Sequence, residues 1–191
     1  MQSIPLQTIQ DYCKGKSIII VGNSTGILKC EYGQFIDSHQ IIVRMNYAYP
    51  VNTCYSKNIG RNTHIYMAGI SRAIIVEKIV SQNPVRYILR LTPCGEPLNI
   101  KNVYCNTKQE YNQLKQHFGE FKPSSGSLTI NFFKEHIDYK SLTIIGFDFF
   151  KKAHKIKKNE FKSYLYRDHD CSMEQEYITK CLNNNTKLIN T

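Results

Sequence analysis

At 191 residues the chain is long enough for one domain with a sizeable core and too short for two comfortable ones. It has no run of 18 apolar residues, which excludes a spanning helix, and the N-terminus MQSIPLQTIQDYCKGK lacks the basic and apolar regions of a secretory signal. The formal charge of +10 predicts attraction to something anionic, such as nucleic acid, lipo-oligosaccharide or a nucleotide donor, although scattered Lys-rich usage accounts for it equally well.

The first dozen residues carry one or two amphipathic turns, with Pro5 near a helix start. Residues 17–21 (SIIIV) form a continuous β-branched run bounded by turn residues, the pattern of a strand in a parallel sheet. A short helix is predicted at about 26–33, a second strand at 40–44 (QIIVR), and a loop over 46–62, rich in Tyr, Asn, Pro and Gly. Residues 63–67 read as a third strand, 71–80 as a helix and 85–91 (VRYILRL) as a fourth strand. The stretch 92–106 is turn-rich and weakly patterned. Helices follow at 109–118 and 127–136, the second entered from PSSG and carrying Leu128, Ile130, Phe132 and Phe133. Residues 141–147 (SLTIIGF) read as a strand ending in Gly146, 151–158 are basic, 173–182 read as helical, and the Asn-rich tail is expected to fray.

Strands alternating with helical patterns imply an α/β fold: a single Rossmann-like domain over 1–191, its twisted and mainly parallel sheet covered by helices. Ligands of such sheets bind beyond the carboxyl ends of the strands. Two clear strands end in Gly22-Asn23-Ser24 and Gly146-Phe147-Asp148, and PSSG stands at a helix N-terminus, where free amides can bind an anion. The loop GNSTG has no Lys after its second Gly, as a phosphate-binding P-loop would, and lacks the GxGxxG spacing of a dinucleotide fold. Taken alone, VGNS reads as a strand-to-helix turn with an Asn-Ser cap, and Asn46 as a turn residue. The seven cysteines contain no CxxC pair, so zinc-ribbon spacing is absent and no metal site is expected; they read as reduced thiols of a cytosolic chain.

The order of motifs is more specific than any one of them. VGNS is followed by Gly33, Asp37, the R-x-N-x-A of Arg44, Asn46 and Ala48, and the G-x-x-T of Gly60 and Thr63. Then come PSSGSLTINFFKEHIDYKSLTIIGF and HDCSME, whose His169 and Glu174 make an H-x4-E. This succession, reaching from residue 17 to 174, resembles the large, small and very short sialyl motifs of the sialyltransferases, glycosyltransferase family 29.

The resemblance implies a variant GT-A fold, a CMP-sugar as donor substrate (normally CMP-sialic acid), no cofactor, and a metal-independent inverting transfer. Gly22, Asn23, Ser24, Asn46, Ser124, Ser125, Gly126 and Gly146 would bind the donor, with Arg44, Thr63 and Glu174 in support. Asn side chains both donate and accept, which suits a ribose, a cytosine edge or a phosphate. The start of the PSSG helix suits an anion such as a sugar carboxylate. His169 would be the general base, since an imidazole can take a proton near neutral pH. The leaving CMP needs neutralised charge, for which His154, Tyr164 or Tyr166 are the candidates. Residue by residue, His169 also reads as part of a helix cap, and His154 in KKAHKIKK as part of a solvated face.

There are departures from the family. The disulfide that usually ties its two larger motifs falls at Ile18 and Tyr139, and the upstream His-Tyr motif has only His154 near its spacing. The membrane anchor and stem of the Golgi members have no counterpart in this sequence, so a cytoplasmic setting in a bacterial or virus-infected cell is expected. Three functions compete: transfer to an anionic glycan or lipo-oligosaccharide, transfer to modified bases of phage or viral DNA, and non-catalytic nucleotide or nucleic-acid binding. A DNA acceptor would use the basic charge, with contacts expected in 47–55 and 151–158.

Overall fold

Three isoleucines in succession, Ile18, Ile19 and Ile20, are wholly buried. A strand can bury consecutive side chains only when both faces of its sheet are covered. In the computed structural model, which describes residues 3–46, 53–69, 73–82, 84–93, 96–149 and 169–190, this is so. The strands are β1 Ser17–Val21, β2 Ile41–Met45, β3 Ile65–Met67, β4 Tyr87–Arg90, β5 Val103–Cys105, β6 Ser141–Ile145 and β7 Thr186–Ile189. They form a seven-stranded sheet in the order β5-β4-β3-β2-β1-β6-β7, and every pairing in it is parallel.

The helices are α1 Leu6–Cys13, α2 Gly33–Asp37, α3 Ser56–Ile59, α4 Ala73–Ser81, α5 Lys108–Lys115, α6 Ser125–His136 and α7 Cys171–Lys180. On one face Ile18, Ile20, Ile41 and Val43 pack with Ile9 of α1, Leu114 of α5, Phe132 and Phe133 of α6 and Ile178 of α7. The alternate residues Ile19, Val21 and Ile42 pack with Ile36 of α2 and Ile59 of α3 on the other. Tyr66 and Ile88 share that second face with Val76 and Ile79 of α4. Each buried aliphatic side chain contributes roughly 1.5–3 kcal/mol, so the strand pattern itself drives the two-layer covering. Among the described residues no helix is long and apolar enough to cross a membrane.

Four expectations need correction. The tail does not fray: Thr186–Ile189 is β7, whose register Leu142↔Thr186 to Ile145↔Ile189 is set by pairing with β6. The turn-rich stretch contains β5, only three residues long and held by Ile88↔Val103 to Arg90↔Cys105. The loop after β2 contains α3, and the helix expected at 26–33 is a 3₁₀ turn, Thr25–Lys29, followed by α2.

The topology decides where a ligand can sit. From β1 the sheet grows outward through β2 to β5, and β6 then returns to the other flank of β1. The chain leaves β1 and β6 in opposite directions, the switch point at which open α/β sheets place their ligand crevice.

Candidate active site

The loops after β1 and β6 meet at that crevice. The Gly22 and Ser24 amides donate to Ile145 O (2.8 Å) and Gly146 O (2.9 Å). A Cβ on Gly22 would stand 2.3 Å from Gly146 O and 2.8 Å from the Phe147 ring, so no larger residue fits. The opposite edge of that ring meets Gly126, whose added Cβ would lie 2.5 Å away. Phe147 is thus wedged between the β1 loop and the first turn of α6, and the two glycines let the backbones close on it. Ser24 is buried and caps the 3₁₀ turn, its Oγ accepting from Gly26 N at 3.1 Å. Asn23 is half-buried, and its Oδ1 is shielded from solvent with no hydrogen-bond partner.

Asn46 follows β2 directly and takes a left-handed backbone, φ 49°. Asn tolerates that conformation better than most residues, and hydrogen bonds to its side chain hold it here. Its Nδ2 donates to Ser125 Oγ at 3.0 Å and its Oδ1 accepts from Gly69 N at 2.9 Å. Two regions distant in sequence are thereby tied together.

The other residues of the large motif build a scaffold beneath. Arg44 is wholly buried; its Nε donates to Asn62 O and Thr63 Oγ1, both at 3.1 Å, and its Nη2 to Ile59 O at 2.5 Å. Asp37 accepts from the amides of Arg61 (2.8 Å) and Asn62 (3.0 Å). Between them Gly60, at φ 72°, crosses so close to Asp37 that a Cβ would stand 2.6 Å from its carboxylate. Arg44 and Thr63 therefore hold the segment between α3 and β3.

The small motif meets the very short one through Glu174. This carboxylate is only 1% exposed, and it accepts from Ser124 N (2.7 Å), Ser124 Oγ (2.8 Å) and Ser127 Oγ. Burial pushes its pKa up, opposed by those hydrogen bonds and by the nearby His169. Ser124 also caps α6, accepting from Ser127 N at 3.2 Å, so its amide and hydroxyl are both engaged. Of the first-turn amides, those of Ser125 and Gly126 remain as the donors a helix start leaves without intrahelical acceptors.

His169 stands just before α7, whose N-cap is Asp170. Its Nδ1 lies 2.6 Å from Lys122 O. A carbonyl only accepts, so Nδ1 carries the proton and the basic lone pair of the neutral ring falls on Nε2.

The structure thus brings Gly22, Ser24, Gly146 and Gly126 together around Phe147, joins Asn46 to Ser125, and links Ser124 to Glu174 and its neighbour His169. Arg44 and Thr63 support from below. His154, Tyr164, Tyr166, Ala48 and the segment 151–158 lie outside the described residues, as does most of 47–55. At the positions of the family's usual disulfide, Ile18 is in the core and Tyr139 Oη bonds Thr186 Oγ1 at 2.9 Å. Sequence reasoning missed Ser127 and Gly69. Ser127, three residues after the Ser124 cap, had a signal in its spacing; Gly69 had none. Among the described residues no group of three or more His, Cys, Asp or Glu side chains could hold a metal ion.

A parallel α/β sheet whose small-residue loops and helix start converge at the switch point has the architecture of a ligand-binding α/β domain. The model of glycosyltransferase family 29 (sialyltransferase) matches residues 8–154, and the chain belongs to that family. Sialyltransferase-like protein 1 of Arabidopsis thaliana is 40% identical over 75 residues, 38% of this chain and 16% of that protein. Sialyltransferase-like protein 5 of Oryza sativa subsp. japonica is 31% identical over 87 residues, 39% of this chain and 18% of that protein. The chain therefore matches less than a fifth of either plant protein. A mammalian sialyltransferase crystal structure superposes with a TM-score of 0.64 at 16% identity, covering 98% of this chain and 73% of that one. A second, in complex with Gal-beta-1-3GalNAc-ortho-nitrophenol, gives 0.62 at 16%, covering 98% and 74%. At this identity the likeness is one of fold.

Proposed function

We propose that the protein transfers a sugar from a CMP-activated donor, with inversion and without a metal, to an acceptor hydroxyl deprotonated by His169. One observation carries this reading: the three motif blocks converge on the β1/β6 crevice, where Asn23 Oδ1 is buried and unpartnered. An orphaned acceptor of this kind costs stability unless a ligand donor meets it, and a cytosine amino group or a ribose hydroxyl would do so. The Ser125 and Gly126 amides would face the phosphate or a sugar carboxylate.

In the transfer, Nε2 of His169 takes the proton of the acceptor hydroxyl as its oxygen bonds to the anomeric carbon. The bond to the CMP phosphate breaks on the opposite face, and CMP leaves with the electron pair. Nδ1–H, bonded to Lys122 O, keeps the ring oriented throughout. Glu174 fixes the start of α6 and sits near enough to favour the imidazolium that forms.

The acceptor we favour is a glycan, the class of molecule found with one solved relative of this fold. The charge of +10 favours an anionic one and keeps DNA as the second reading. Turnover on DNA would fall steeply with salt, as released counterions require; turnover on a neutral glycan would not. The founding test is calorimetry with CMP against UMP, AMP and GMP in the presence of EDTA. Wild type should prefer CMP. Asn46→Gly, which accepts φ 49° without strain, should lose about tenfold in affinity or more, the worth of a good hydrogen-bond site. Equal binding of all four nucleotides would sink the proposal.

A further inference from the structure

Every polar group of Asn46 is held from within the protein, most of them by β3 and the residues just after it. The Asn46 amide donates to Met67 O at 3.1 Å, and its Oδ1 accepts from Gly69 N at 2.9 Å. Its carbonyl accepts from Tyr66 Oη at 3.0 Å. Only the bond from Nδ2 to Ser125 Oγ comes from another region. Tyr66 is none of the expected site residues, yet it is wholly buried, and it sits opposite Arg44 in the β2/β3 register. Its ring is packed with Val76, Ile79 and Ile88 beneath α4.

A phenol anchored in that way has its hydroxyl at a fixed height above the sheet. The hydroxyl meets the carbonyl of the one residue that must stay left-handed for its side chain to face Ser125. Without that donor, rotation of the Asn46 peptide toward ordinary backbone angles would swing the side-chain amide off both Gly69 and Ser125.

We infer that Tyr66 is a positioning residue for the donor site: its hydroxyl locks Asn46 in the left-handed conformation that aims the Asn46 amide at Ser125 and the β1/β6 crevice. The inference rests on the CMP reading above for its effect on affinity, though not for its effect on Asn46 itself.

The test is Tyr66→Phe, which keeps the ring in its apolar setting and removes only the hydroxyl. CMP affinity should fall about fivefold, the equivalent of one net hydrogen bond. In an Asn46→Gly background the same substitution should add nothing, because Tyr66 acts through Asn46. Hydrogen exchange at the Gly69 amide, which donates to Asn46 Oδ1, should quicken in Tyr66→Phe with no ligand present. A purely structural tyrosine would lower Tm alike in both backgrounds and leave Gly69 protected, and that result overturns the inference. If Asn46→Gly loses CMP while Tyr66→Phe does not, the inference fails and the donor reading stands. If wild type shows no preference for CMP, the donor reading fails, and Gly69 exchange alone decides whether Tyr66 holds Asn46.

Discussion

The two ends of the same parallel strands are built differently. At the amino end the polar groups close on one another. His64 Nδ1 accepts from Ile42 N at 3.1 Å, His39 bridges Phe35 O (2.9 Å) and Thr143 Oγ1 (3.2 Å), and Asp37 caps the Arg61 and Asn62 amides. At the carboxyl end the bonds run between regions far apart in the chain: Asn46 to Ser125, Ser124 and Ser127 to Glu174, and His169 to Lys122. Left-handed residues stand at both ends, Gly15, Gly60 and Asn102 at the amino end and Asn46 at φ 49°, Gly146 at 77° and Phe149 at 53° at the carboxyl end. The carboxyl end also carries the orphaned Asn23 Oδ1 and the open amides of α6. One end is closed and stabilises the fold. The other leaves hydrogen bonds unmet, which is how a site that waits for a ligand differs from a scaffold.

The contrast can be broken most directly at His169. His169→Ala should lower turnover by about 10²–10⁴ while CMP affinity and Tm stay near wild type. A variant that keeps its turnover would reduce His169 to a helix-cap neighbour.

Glu174 comes next, because it holds the carboxyl end together. Glu174→Ala strands a buried amide and two buried hydroxyls and should cost about 3 kcal/mol in denaturant unfolding, whereas Glu174→Gln, which keeps an acceptor for Ser124 N, should cost about 1 kcal/mol. Equal, small losses for the two would mean that α6 does not depend on this carboxylate.

The smallest effect belongs to the amino end. Burial lowers the pKa of His64, helped by Lys16 and opposed by Asp37. It lowers that of His39 too, against the bond to Phe35 O. The unfolded chain therefore binds protons at these rings more readily than the fold does. Their contribution is complete above the ordinary imidazole value and is lost as pH falls through about 6.5 toward the lower folded values. Tm should drop by a few degrees between about pH 8 and about pH 5, and the drop should shrink in His39→Gln/His64→Gln. An unchanged drop would move the acid sensitivity elsewhere, with Glu174 excluded as its source because its raised pKa acts in the opposite direction.

How much of this was legible beforehand varied with length and burial. The strand at 17–21 was read to the residue, because four successive buried residues, 18–21, leave a continuous apolar run. The helix at 127–136 lost only its first two positions, Ser125 and Gly126, whose residue types suit caps and turns as well as a helix start. Val103–Cys105 and Thr186–Ile189 escaped because three or four residues carry no period, and both become strands only by pairing with a neighbour already in place.

Residue types and their order along the chain were enough to determine the α/β class, the family and the small-residue loops that end β1 and β6, since backbone closeness demands glycine wherever it occurs. The tertiary structure alone decided which polar groups face one another. It used Ser124 and Glu174 to fix α6, set the basic lone pair of His169 on Nε2, and gave Tyr66 a hold on Asn46. Those outcomes depend on hydrogen-bond geometry between residues as much as 50 positions apart, as with Ser124 and Glu174. No local pattern encodes that geometry, because the strand order that brings such residues together is settled only when the whole sheet forms.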